Sequence, residues 1–137
     1  MHRYLLLLCS YLACAACAWP GTAAAAHWVE IYAFRDGRMI YADLETVGYA
    51  PNVPRNIQQI WVKYTFPTPQ TTRDGKQFSS FVALFHVDCK AHTITRGDSS
   101  TAYTQDGKVV DHWDQQSAFT PIRPDSLGEA LFGALCT

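Results

Sequence analysis

Few side chains in this 137-residue chain stand at spacings that could do chemistry. His86, Asp88, Cys89 and His92 are the densest group of metal-ligating types. On a strand His86 and Asp88 share a face, and an imidazole beside a carboxylate could begin a zinc site. Asp111, His112 and Asp114 offer an acid and a base, and Ser126 a hydroxyl. Each group has a simpler use. A disulfide would consume Cys89 and leave too few ligands for a metal. Ser126 stands where a helix cap is needed, and no serine sits in the G-x-S-x-G elbow that would expose it as a nucleophile. No Gly-rich phosphate loop is present. The sequence predicts no catalytic residue, no metal and no cofactor.

The cysteines and the first segment point to export. Met1-His2-Arg3 leads into an apolar run from Tyr4 to Ala18, and Ala24 and Ala26 complete the small-x-small pattern of a signal-peptidase site. Residues 1–26 therefore read as a signal peptide and 27–137 as one mature domain. Pro20, Gly21 and Thr22 cut the apolar run short of the roughly 20 residues a membrane anchor needs. Leu12-Ala13-Cys14 resembles the end of a lipobox, but Tyr11 replaces the usual leucine, so a lipid anchor at Cys14 is disfavoured. Of five cysteines, Cys9, Cys14 and Cys17 leave with the signal peptide. Cys89 and Cys136 remain, and in an oxidising compartment two cysteines read as one disulfide. Its loop of about 48 residues is worth roughly 4 kcal/mol in the chain-entropy model.

Without Arg3 the basic side chains number 10 against 12 acidic, a net charge of −2, with no basic stripe. A nucleic-acid partner is therefore not expected.

The mature chain has mostly the period of two that marks half-buried strands. Trp28 to Phe34 and Met39 to Asp43 form a hairpin around Asp36-Gly37. Gly48, Pro51 and Pro54 predict a loop from Leu44 to Asn56. Ile57 to Phe66 follows, with Ile60, Val62, Tyr64 and Phe66 on one face, and Pro67 and Pro69 are expected to end it. Lys76 to Cys89 is the expected central strand. Phe81, Ala83, Phe85 and Val87 take one face, and Val82, Leu84, His86 and Asp88 the other. Short strands are expected at Thr93 to Arg96, Thr101 to Thr104 and, after Asp106-Gly107, Val109 to Trp113.

The period then changes. Ser126 and Glu129 form a capping box, and Leu127, Ala130, Leu131, Ala134 and Leu135 an apolar stripe at helical spacing. The predicted class is α+β, an antiparallel β-sheet with a C-terminal helix packed on it and one disulfide. Two connections, Gly48 to Asn56 and Pro67 to Gly75, exceed the usual hairpin loop of about 2 to 5 residues. Loops beyond that norm are often functional, which makes Gly48, Tyr49, Pro51, Asn52, Pro54, Arg55, Pro67, Pro69 and Arg73 candidate binding residues.

Trp28, Ile40-Tyr41-Ala42-Asp43, Trp61-Val62, Lys76-Gln77-Phe78-Ser79-Ser80, Val87-Asp88-Cys89 and Pro121 to Ser126 before a helix ending in Cys136 occur in an order that resembles the surface-adhesin protein E family. The resemblance spans nearly the whole mature chain. It departs where family members often carry Lys-Ser-Tyr-Arg-Ser, since this chain lacks that arginine. It implies a non-enzymatic protein of the periplasm or outer-membrane surface, with host or envelope macromolecules as partners. A periplasmic accessory or envelope-stress protein is the alternative.

Export should remove residues 1–26, so the intact mass of the mature protein should correspond to a chain starting at His27. An acylated mass starting at Cys14 would overturn this.

Overall fold

The structure, a computed structural model, describes residues 25–137. The segment expected to be a signal peptide, apart from Ala25 and Ala26, and the lipobox-like cysteine within it lie outside the described residues. The elements are β1 (Trp28–Ala33), β2 (Met39–Tyr49), β3 (Ile57–Thr71), β4 (Gln77–Asp88), β5 (Thr93–Tyr103), β6 (Val109–Trp113), β7 (Thr120–Pro121) and α1 (Leu127–Leu135). The first six strands pair in chain order as an antiparallel meander, and β7 pairs with β5. The fold is mostly sheet, and the helix is a minor part.

Three connections on one end of the meander share one construction. Arg35-Asp36-Gly37, Arg73-Asp74-Gly75 and Gln105-Asp106-Gly107 each turn the chain, with the glycine at φ +88°, +87° and +83°. Only glycine adopts that left-handed backbone without steric cost, as a three-residue hairpin loop requires. Backbone bonds Phe34 N to Arg38 O, Thr72 N to Lys76 O and Thr104 N to Lys108 O close the loops at 2.9, 2.8 and 2.8 Å. Each aspartate also meets the basic residue two positions on. At Asp74 the Thr72 hydroxyl and Lys76 hold the carboxyl down to about 2.

The sheet is longer than its sequence pattern suggests because β2, β3 and β5 run through bulges of two or three extra residues. Gly48 and Tyr49 lie in β2, not in a loop. A step of five residues from Asp43 to Gly48 matches a step of two on β3, from Trp61 to Gln59. Pro67 and Pro69 likewise lie inside β3, where a step of five from Thr65 to Gln70 matches Ser80 to Phe78 on β4. Proline has no N–H for a ladder bond, but β2 begins at Met39 opposite Thr65, so beyond that pair β3 bonds β4 alone and its other side needs no donor. The segments read as separate strands on either side of Gly97-Asp98 are one strand, β5, with two extra residues opposite Leu84.

The alternation expected of β3 and β4 is borne out. Ile40, Ala42, Ile60, Val62 and Val87 are fully buried on one face and meet Leu131 and Leu135 of α1. The buried helix positions are Gly128, Leu131 and Leu135, whereas Ala134 of the expected stripe is exposed. Gly128 explains the rotation. A Cβ there would lie 3.4 Å from Ile122 and Ile94, so its absence lets the first turn sit close to the sheet. The Ser126 hydroxyl accepts from Glu129 N at 3.3 Å, while the Glu129 carboxylate accepts from Asp125 N at 2.7 Å, one residue earlier than a capping box requires.

At the other end of the helix Cys136 is bonded to Cys89, with the Cα atoms 5.4 Å apart. The His92 ring stacks on Phe132 beside it at 4.2 Å. Replacing Cys136 with Ser should lower stability by about 2 to 5 kcal/mol, and Leu131→Ala should cost about 2 to 5 kcal/mol through its cavity. Urea unfolding of the two variants checks both values. An unchanged midpoint in either would mean the helix adds little to the fold.

Candidate functional site

The residues that looked most chemical are placed in structural roles. His86 and Asp88 share a face of β4, as expected. The Asp88 carboxylate accepts from Asn56 Nδ2 at 2.7 Å and from the backbone N–H groups of Lys90 and Ala91 at 2.9 and 2.8 Å. Those bonds, led by Ala91, hold its carboxyl below the usual range. It braces two turns. No group of three or more ligand-type side chains that could hold a metal occurs among the described residues.

Of the acid and base read at Asp111, His112 and Asp114, His112 meets Asp114, and Thr101, which the sequence did not reveal, joins them. The His112 Nδ1 lies 2.8 Å from Thr101 Oγ1 and its Nε2 lies 2.6 Å from Asp114 Oδ1. The order hydroxyl, imidazole, carboxylate is that of a hydrolase triad. However, the side chains of His112 and Asp114 are 46 and 79 % exposed, so water screens the pair and competes for each bond. Thr101 meets His112 because they are directly opposite on β5 and β6, which is ordinary cross-strand pairing.

His86 is different because it is buried. A Cβ on Gly97 would lie 3.3 Å from its Nε2, so the bulge of β5 closes over the ring. That nitrogen has no hydrogen-bond partner among the described residues. Burial lowers its pKa from the ordinary 6.5, partly opposed by Asp98.

The helix leaves much of its own face bare. Cross-strand partners share a face, which sets Tyr64, Phe81 and Ala102 in one row and Val62, Ala83, Ser100 and Trp113 in the next, followed by Ile60, Phe85 and Arg96. Ring centroids lie 6.4 Å apart for Phe85 and Tyr64, 6.1 Å for Tyr64 and Phe81, and 5.9 Å for Phe81 and Trp113. Burial pushes the Tyr64 phenol up despite Arg38, so it stays neutral. Two cavities open along these rings. One of about 370 Å³ is lined by Tyr64, Phe81, Phe85, Arg96 and Ser117, and one of about 240 Å³ by Phe78, Phe81, Arg96 and Trp113.

The sequence-predicted binding residues are not brought into this groove. Pro51, Asn52, Pro54 and Arg55 form the exposed turn between β2 and β3, and Arg73 sits in the β3–β4 turn. Gly48, Tyr49, Pro67 and Pro69 are strand residues, as described above. Yet the β2 bulge and the turn after it carry exposed apolar side chains: Leu44 at 44 %, Val47 at 37 %, Tyr49 at 60 % and Val53 at 40 %. Thr46 holds the bulge by donating to Asp43 O at 2.7 Å and accepting from Trp61 N at 3.4 Å.

The lowered pKa of His86 gives a pH dependence. The unfolded chain binds the proton more readily, so stability falls as pH drops through the ordinary value toward the folded one. The lowered carboxyl groups of Asp36, Asp74, Asp88 and Asp106 act below this window, losing their contribution as pH falls through their folded values. His86→Gln should therefore flatten the fall in unfolding free energy between about pH 7.5 and about pH 5. Equal slopes in the two proteins would show that His86 is not the group responsible.

Residues 28–137 match the model of the family described as surface-adhesin protein E. No curated protein sequence matches the chain. A crystal structure of Haemophilus influenzae protein E (crystal form II) is similar at a TM-score of 0.55 and 13% identity, covering 71% of this chain and 79% of that one, which shows a shared fold. Among the described residues no helix is long and apolar enough to cross a membrane. The family model spans every strand and the helix, and on that match the chain belongs to the surface-adhesin protein E family.

Proposed function

We propose that this chain is an exported, non-enzymatic binding protein that attaches to another macromolecule, of a host or of the cell envelope, through the exposed bulge and turn between β2 and β3. The observation that carries this reading is the set of Leu44, Val47, Tyr49 and Val53, four exposed apolar side chains between positions 44 and 53 in a member of an adhesin family. Apolar side chains scattered singly over a surface need no explanation, but several on one short segment mark a contact surface. About half of each side chain is still exposed, so burying the rest against a partner would contribute roughly 1 kcal/mol apiece before the cost of association. Pro51 and Pro54 restrict the turn, and Ala50 N to Ile57 O at 3.2 Å and Ile57 N to Pro54 O at 3.0 Å tie it down, so less freedom is lost on contact. The second candidate connection is mostly strand, and only its turn, with Arg73, remains as a free loop.

Two measurements test the reading. Protease treatment of intact cells should remove the protein from the surface, and complete protection would defeat host attachment in favour of a periplasmic role. The double variant Tyr49→Ser, Val53→Ser should keep its melting temperature, since both side chains face solvent. It should weaken attachment to the partner by about tenfold or more. Undiminished attachment would move the contact elsewhere.

A further inference from the structure

The groove beside the helix contains a cation with no ion-pair partner among the described residues. Arg96 lies on β5 opposite Phe85, with its guanidinium 6.0 Å from the Phe81 ring centroid. Its Nε is buried and has no hydrogen-bond partner, and none of the ion pairs among the described residues includes it. Asp98 in the β5 bulge, Asp111 on β6 and Asp114 just beyond it are acids on the elements around Arg96, and none of them is in ion-pair distance of it. In the adjacent row of the same face the Ser100 hydroxyl is also buried without a partner. A buried guanidinium N–H without an acceptor costs free energy, and the planar fork of the half-buried Arg96 side chain matches a carboxylate.

We infer that this groove is a binding site for an extended peptide segment in which a Glu or Asp side chain is flanked by apolar residues, with the carboxylate on Arg96. The arrangement of the cavities selects this chemistry. The two share Arg96 and Phe81, and one extends toward Tyr64 and Phe85, the other toward Phe78 and Trp113. The cation therefore stands in the middle, with an aromatic space on each side. A small free anion would fill only the centre, and a chain-terminal carboxylate would use only one side. A lipid tail needs one continuous apolar channel, which Arg96 interrupts. The aromatic walls would hold the flanking side chains and keep water from the ion pair, which strengthens it. The site is distinct from the β2–β3 patch and does not depend on where the protein is displayed.

The test uses the purified mature protein and two synthetic peptides, acetyl-Ala-Phe-Glu-Phe-Ala-amide and its Gln counterpart, followed by ¹H–¹⁵N NMR titration. The Glu peptide should shift the amides of Phe81, Phe85, Arg96 and Trp113 and bind about tenfold more tightly than the Gln peptide, as expected for one charge-assisted contact. Arg96→Gln should erase the difference between the peptides, and Arg96→Lys should retain part of it. Because the peptide comparison is made on the unaltered protein, it stands even if a variant unfolds. Equal affinity for the two peptides, shifts confined to other surfaces, or no binding of either at millimolar concentration would overturn the proposal.

Discussion

The width of the sheet sets the terms for everything else in this domain. Six strands about 4.8 Å apart make a surface roughly 24 Å across, and a nine-residue helix is about 14 Å long and roughly 10 Å wide. One such helix covers about half of one face. The residues beneath it, Ile40, Ala42, Ile60, Val62 and Val87, have no exposure at all. Those beyond it must do without a second layer. The chain's solution is lateral packing of large side chains: Phe85, Tyr64, Phe81 and Trp113 lean on one another across four strands. On the opposite face Trp28, Trp61 and Lys63 are half-buried, with the Lys63 ammonium 5.9 Å from the Trp28 ring centroid. Aromatic rings suit this work because each covers much area with few rotatable bonds.

Where no second layer constrains the ladder, irregularity is tolerated. The bulges in β2 and β3 each place three extra residues on one strand, and both lie where the sheet loses a neighbour or faces solvent. They also relieve a sequence conflict. Pro67 can sit within a 15-residue strand because its part of β3 has a single hydrogen-bonded neighbour, and the Gly37 turn comes to rest close to the proline ring. The outer side of β5 is divided, with β6 pairing its C-terminal half and β7 its first two residues. Between them the strap from Asp114 to Phe119 is tied down where Ser117 N donates to Arg96 O at 2.9 Å. The edge is thereby closed to further strand pairing.

This division explains what could be read from the sequence. The Asp-Gly turns at 36 and 106, the alternation of β4, the cap at Ser126 and the pairing of Cys89 with Cys136 depend on local chemistry or on elimination, and each is found in the structure. The true lengths of β2, β3 and β5 were hidden because a bulge breaks the period on which strand reading rests. Glycine and proline at 48, 67, 69 and 97 then looked like the ends of strands. The groove was hidden for a different reason. Arg96 appears in sequence as one polar residue before a Gly-Asp turn, and only the register of β4, β5 and β6 shows that it shares a face with Phe81, Phe85 and Trp113.

The position of that arginine also bears on how the groove would act. Apart from Ser117 of the strap, its walls are strand side chains in hydrogen-bonded register, and its floor is the sheet itself, so little has to be ordered when a ligand arrives. The helix and disulfide lie toward Val87 and Cys89, whereas the groove extends from Phe85 toward the Asp-Gly end of the hairpins. The two regions meet along Tyr64 and Phe85, which pack against the helix-covered core and line the groove at once. Those two rings are therefore the rigid boundary between the part of the sheet that holds the domain together and the part left free to bind. A cation placed just beyond that boundary is held in low-dielectric surroundings without being sealed in them. In that position an ion pair with an incoming carboxylate gains strength while still admitting its partner.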